Sequence, residues 1–203
     1  MTITYKVKNG IYVNMTNRCP CACTFCLRQN GPGVYGSDSL WLEREPTVEE
    51  VCASLNEWYL DSFDEVVFCG YGEPTERLDD LLEVARWLKR EHPNLPVRLN
   101  TNGLSDLIAG QPTARYLDGL VDVVSISLNT PDPKEYLELV RPRFGEKSWQ
   151  AMLDFAQDCV KYVPKVVMTV VGEPITSPEN QERCHDLCES LGVTLRVRQY
   201  EGK

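Results

Sequence analysis

The chain has 203 residues, enough for one compact domain with a sizeable core. It is 42% hydrophobic and 25% charged, the balance of a soluble globular protein rather than a fibrous or disordered one. A net charge of −9 with no long basic run argues against generic binding to a nucleic-acid backbone, and no apolar stretch approaches membrane-spanning length.

Ile3 to Lys8, with a turn at Asn9-Gly10, predicts a short hairpin leading into a first strand over Ile11–Asn17. The next residues, Cys19-Pro-Cys-Ala-Cys-Thr-Phe-Cys26, place Cys19, Cys23 and Cys26 at C-x3-C-x2-C spacing, with Cys21 as a fourth thiol. Three thiolates on one short loop can hold three irons of a 4Fe–4S cube and leave the fourth iron open. A zinc site is the competing reading. Structural zinc sites favour separated ligand pairs, often with His, whereas His92 and His185 lie far along the chain. Spacing favours the cluster and leaves both readings open. Nine cysteines without an export signal predict a reducing, cytoplasmic setting.

Residues 27–45 predict a long functional loop. Thr47-Val-Glu-Glu50 is a capping box opening a helix to Leu60. Strands follow at Glu65–Cys69, Val97–Thr101, Val121–Leu128, Lys165–Val171 and Val193–Gln199. Helices are expected at Leu78–Glu91, weakly over 104–118, at Pro133–Val140, Glu146–Tyr162 and Pro178–Leu191, the last ended by Gly192. Alternating strands and helices predict a parallel α/β domain, and six β/α units are too few to close an eight-stranded barrel. The expected fold is an open, three-quarter TIM-like barrel with a short N-terminal hairpin, one core domain over residues 1–203.

Ligands in such folds sit at the carboxyl ends of strands. Those ends carry Gly70-Tyr-Gly-Glu-Pro74, Asn100-Thr101-Asn102-Gly103, and Ser125, Ser127 and Asn129 on one face. A tight turn explains each glycine as well as a ligand does. Arg141 is either a carboxylate clamp or a solvated side chain. Arg196 and Arg198 alternate with Leu195 and Val197, so both point into the barrel if the apolar pair faces the helices; they then need an anion or internal carboxylates. Asn14 and Thr16 share a face of the first strand and are further candidate lining residues. Cys52, Cys159, Cys184 and Cys188 read as core thiols.

The C-x3-C-x2-C run with Phe25 before its last Cys resembles the signature of the radical S-adenosylmethionine (SAM) superfamily, and Gly-Tyr-Gly-Glu-Pro74 resembles its GGEP element, with Tyr71 where Gly is usual. The resemblance spans nearly the whole chain and implies the same partial barrel. It implies a 4Fe–4S cluster on Cys19, Cys23 and Cys26 and SAM chelated to the open iron. Contacts to SAM would come from Phe25, Gly70, Tyr71, Gly72, Glu73, Pro74, Thr101, Asn102, Ser127, Asn129 and Arg141. Reductive cleavage of SAM would give a 5′-deoxyadenosyl radical that takes hydrogen from a small anionic substrate near Asn14, Thr16, Arg196 and Arg198. An external electron donor of the flavodoxin or ferredoxin type is implied. Asn-Arg-Cys19, Arg-Leu-Asn-Thr-Asn-Gly103 and Arg-Pro-Arg-Phe-Gly145 are similar to the small TatD-associated radical SAM proteins, which implies an association with a TatD-like hydrolase. A glycyl-radical activase and a non-catalytic iron–sulfur or zinc scaffold stand as alternatives.

Overall fold

The structure, a computed structural model, describes residues 1–200. Strands β1 (Thr4–Val7) and β2 (Gly10–Val13) form the hairpin; β3 (Glu65–Phe68), β4 (Val97–Thr101), β5 (Val123–Ser127), β6 (Lys165–Val171) and β7 (Thr194–Arg198) follow in parallel. The sheet has seven strands in sequential order from β1 to β7, and its two end strands do not pair. Each crossover therefore steps in one direction, as in a β/α barrel that stops short of closure. The helices are α1 (Val48–Asn56), α2 (Leu78–Glu91), α3 (Ser105–Ala109), α4 (Pro133–Val140), α5 (Lys147–Cys159) and α6 (Pro178–Ser190). Among the described residues no helix is long and apolar enough to cross a membrane.

The capping box forms as the sequence requires: Glu50 N donates to the Thr47 hydroxyl, and the Glu50 carboxylate accepts from Thr47 N at 2.9 Å. The helix it opens ends at Asn56, short of Leu60. The hairpin turns at Lys8-Asn9, one residue earlier than expected, with Lys8 at φ 52°. The weak 104–118 segment splits into α3 and a short 3-10 turn over Ala114–Leu117, because Gly110 adopts a left-handed φ of 70° and ends α3. The first strand leaves the ladder after Val13, four residues before Asn17.

Two apolar clusters hold the fold. Val66, Phe68, Val97, Leu99, Val124, Ile126, Met168 and Val170 pack outward against α2 and α5 residues such as Leu81, Leu88, Met152 and Phe155. The alternate residues face the concave side, and most are polar: Arg98, Asn100, Ser125, Ser127, Thr169 and Arg196. Parallel strands covered on both faces are usually apolar throughout; this alternation marks a concave face kept for something other than core. The second cluster lies inside the curve, where Tyr5, Val7 and Tyr71 receive fully buried Leu40 from the 27–45 loop. The long loop thus fills the concave side next to β1 and β2.

Candidate active site

The cysteine loop follows the extension of β2 and is strapped to the end of α4. Ala22 N and Thr24 N donate to Val140 O and Leu139 O at 3.1 and 2.9 Å, and Arg143 N donates to Pro20 O at 2.8 Å. Cys21 forms an isolated bridge with Pro142. The Arg-Pro-Arg-Phe-Gly145 run is therefore a backbone strap. Arg141 itself caps α4 at φ 49°, is exposed, and donates from Nε to Glu138 O; its side chain stands outside the cavity described below. Arg143 pairs with Glu76 at 3.2 Å.

Cys21 is buried and is the shared hydrogen-bond partner of Cys19 and Cys23. That sharing holds the Cys19 and Cys23 thiols below the ordinary range and pushes Cys21 far above it. Burial pushes Cys26 up, and the Arg28 guanidinium pulls Cys19, Cys23 and Cys26 down. No three thiols of the loop stand within 4.8 Å of one another. The donor set, three thiols on one short loop with Cys19 and Cys23 held down, fits a cluster on Cys19, Cys23 and Cys26.

A cavity of about 180 Å³ is lined by Cys19, Cys21, Cys23 and Phe25. Its other walls come from the ends of β3 (Cys69, Gly72, Glu73, Pro74), β4 (Asn100, Thr101, Asn102), β5 (Ser125, Ser127, Asn129), β6 (Thr169) and β7 (Arg196, Arg198), together with Tyr136 and Val140 of α4. It thus gathers Cys19, Cys21 and Cys23, the aromatic and most of the strand-end candidates, while Cys26 lies outside its lining. Asn102 turns its Nδ2 toward Cys21 Sγ at 3.6 Å and Cys19 Sγ at 4.0 Å, while its Oδ1 accepts from Leu104 N. Asn129 sits at φ 68°, a conformation Asn tolerates.

Glu73 is 4% exposed and locks the site. Its carboxylate accepts from Thr75 N, Thr75 Oγ1, Thr101 Oγ1 and Asn102 N at 3.2, 2.8, 2.7 and 2.8 Å. Burial pushes its pKa up, and these bonds offset only part of the rise. Thr101 is committed to Glu73 and to Gly103 N.

The glycines of the β3 turn answer to the neighbouring chain. A Cβ on Gly70 would lie 2.1 Å from Asn14 Oδ1, and one on Gly72 would lie 2.2 Å from Thr16 O and 2.6 Å from Arg18 O. Tyr71 points away from the cavity: its hydroxyl donates to Gly31 O at 2.7 Å, and Trp41 meets its ring edge-on at 5.2 Å. Asn14 and Thr16 also lie outside the cavity lining. Asn14 donates to Thr2 O and Leu40 O, and Thr16 donates to Glu45. Buried polar residues on that face hold the long loop down rather than line a ligand site. Cys184 and Cys188 are buried in the outer core while His185 is exposed, so they form no site together.

The cavity also contains Tyr136 of α4, which no strand end supplies. The Asn100 Oδ1, Asn129 Oδ1 and Tyr136 hydroxyl are buried without a partner, which marks places where a ligand can complete the hydrogen bonding. Asn100 was readable as the residue preceding Thr101; Tyr136, an apolar-looking position on α4, carries no sequence signal.

The Radical SAM superfamily model matches residues 13–189. No curated protein sequence matches the chain. Among solved structures, a radical SAM methyltransferase from Sphaerobacter thermophilus is 17% identical, covering 98% of this chain and 69% of that one, with a TM-score of 0.61. The structure titled native anSMEcpe with bound AdoMet is 18% identical, covering 94% of this chain and 51% of that one, at 0.62. The radical SAM methyltransferase TsrM from Kitasatospora setae, solved with cobalamin and a [4Fe-4S] cluster, is 13% identical, covering 94% of this chain and 35% of that one, at 0.56. The chain spans only part of each. The structural likenesses carry the partial-barrel fold, and the match over most of the sequence carries the family: this chain belongs to the radical SAM superfamily, whose cofactors are a 4Fe–4S cluster and S-adenosyl-L-methionine.

Proposed function

We propose that the chain is a radical SAM enzyme acting on a small anionic substrate, with residues 1–203 as a single core domain. The observation that carries the reading is the joint lining of one cavity by Cys19, Cys23, Phe25 and the ends of five strands. Cys19, Cys23 and Cys26 would hold the cluster and leave its fourth iron for the amine and carboxylate of SAM. When bound, the two cofactors together supply a 5′-deoxyadenosyl radical, formed by one-electron cleavage of the SAM sulfonium, which takes a hydrogen atom from the substrate.

The chain's own residues position and enclose. Arg28 places a positive charge beside the thiols, and its guanidinium donates to Cys21 O at 3.3 Å. Glu73 fixes the backbone of Asn102, which turns its amide to the sulfurs. Phe25 offers a face to the adenine, and the Gly72-Glu-Pro74 backbone lies where the amine would sit. Asn100, Ser127, Asn129 and Tyr136 offer polar atoms to the nucleoside. Arg196 and Arg198 line the far wall, exposed like their neighbour Val197, and among the described residues have no carboxylate within 4.0 Å; an anionic substrate group reaching that wall would supply one. One-electron delivery by a flavodoxin- or ferredoxin-type donor, a cytoplasmic location and an association with a TatD-like hydrolase complete the proposal.

Anaerobic reconstitution with iron and sulfide, then dithionite and SAM, is expected to release 5′-deoxyadenosine. Cys19→Ala, Cys23→Ala and Cys26→Ala should abolish iron uptake and product, and Cys21→Ala should retain both. Zinc as the sole bound metal, with no nucleoside released, would sink the reading.

A further inference from the structure

A second cavity, of about 250 Å³, lies at the opposite, N-terminal ends of the strands. Its charged lining residues are Arg98, Lys165, Arg196 and Glu65. That is three cations against one carboxylate, inside a chain whose net charge is −9. The Arg98 guanidinium pairs with Glu65 at 2.6 Å and donates to the Tyr12 hydroxyl at 3.2 Å, yet its Nε is buried without a partner. Lys165 and Arg196 have no carboxylate within 4.0 Å among the described residues. Desolvation first, then Arg98 and Arg198, oppose the charge on Arg196, while Tyr12 and Glu65 favour it; the Arg196 and Lys165 side chains are exposed.

Three cations that share a single carboxylate repel one another, most where a donor is buried as Arg98 Nε is, and an anion relieves that repulsion. The amino-terminal face of a barrel ordinarily carries stability rather than chemistry, so a cationic hollow there calls for a ligand. Its volume falls below the usual range of about 300–1,000 Å³ for drug-sized ligands, so it suits a single small group. Planar guanidinium forks match oxyanions in particular.

We propose that this lower cavity is an oxyanion-binding site, taking a phosphate or carboxylate group between Arg98, Lys165 and Arg196. Ser125 and Arg196 line both cavities, so the two meet at one wall. If the functional reading above holds, an anionic tail anchored below directs the other end of the substrate up toward the thiols; that orientation rests on it, whereas the oxyanion site does not.

The test uses the full chain, reconstituted anaerobically, and follows thermal and calorimetric binding of inorganic phosphate and of succinate, against chloride at matched ionic strength. Saturable stabilisation by phosphate or succinate but not chloride is expected, and whichever binds tighter assigns the group as phosphoryl or carboxylate. Arg196→Gln should weaken binding on the order of tenfold or more. Glu65→Gln should tighten it by removing the competing carboxylate, a gain that misfolding cannot produce. No saturable response to either anion, or unchanged affinity in both Arg196→Gln and Lys165→Gln, would overturn the site. A chain that cleaves SAM yet binds neither anion loses this site alone. A chain that binds phosphate yet cannot cleave SAM loses the functional reading and keeps the site.

Discussion

Replacing Glu73 by Gln keeps the shape of the side chain and changes only what it can accept. The native carboxylate receives four donors, three on Oε1 and one on Oε2. An amide has one oxygen. With that oxygen in the Oε1 position, the new NH2 opposes Asn102 N–H, donor against donor. With the amide turned over, it opposes Thr75 N–H, and both threonine hydroxyls must rotate. Either way a buried backbone N–H loses its acceptor, at a cost of about 1–3 kcal/mol, and a charge-assisted bond is lost as well. Relief from burying a charge offsets part of this. The net expectation is destabilisation by about 2–3 kcal/mol. Urea unfolding of the reduced, metal-free chain should show a lower midpoint with an unchanged slope. A variant within about 0.5 kcal/mol of the parent would refute the view that Glu73 is the acceptor joining the ends of β3 and β4.

Gly72→Ala should cost about 3 kcal/mol and lower the iron content after reconstitution, because its Cβ meets backbone oxygens on the chain leading into the cysteine loop. Tyr71→Phe removes the bond to Gly31 and should cost about 1 kcal/mol, with faster limited proteolysis inside residues 27–45. Tyr136→Phe should leave the metal-free chain as stable or raise it by up to about 1 kcal/mol, since the hydroxyl it removes has no partner, while the loaded chain should bind SAM more weakly by calorimetry. The Glu50 carboxyl is held down to about 2, first by Arg44 and then by Thr47 N–H. Its folded pKa lies below the ordinary 4.5, so the capping box contributes fully above pH 4.5 and loses that contribution as pH falls toward 2. Glu50→Gln should flatten that part of the stability curve, and proton NMR should place the Glu50 titration near 2.

What the letters foretold and what they hid divides along physical lines. Strand and helix placement followed from periodicity, and Thr47-Val-Glu-Glu50 announced its helix because capping is a local interaction. The cysteine spacing was legible for the same reason: three thiols within eight residues must share a loop. Asn14 and Thr16 were misleading. Alternation put them on the inner face, but it could not say that Leu40, from a loop 26 residues on, already occupies that face. Tyr71 stands in the run that resembles GGEP and packs against the long loop, a long-range contact with no local trace. Gly70 and Gly72 were noticed for a ligand, yet the first demand on them is clearance for Asn14 and for the backbone at Thr16 and Arg18. Tyr136 reads as core until its hydroxyl is found without a partner.

The unpaired edges of the sheet bear on how a reactant arrives. Leu40 and Tyr71 occupy the hollow beside the hairpin, so the remaining room lies toward β7, the strand with no neighbour on its outer side. Among the described residues the open side of the hollow is bordered by Arg196 and Arg198, both exposed, rather than by a further strand. On the functional reading above, a molecule coming in from that side would meet two guanidinium groups before the thiols, so its charge would be sorted ahead of its size.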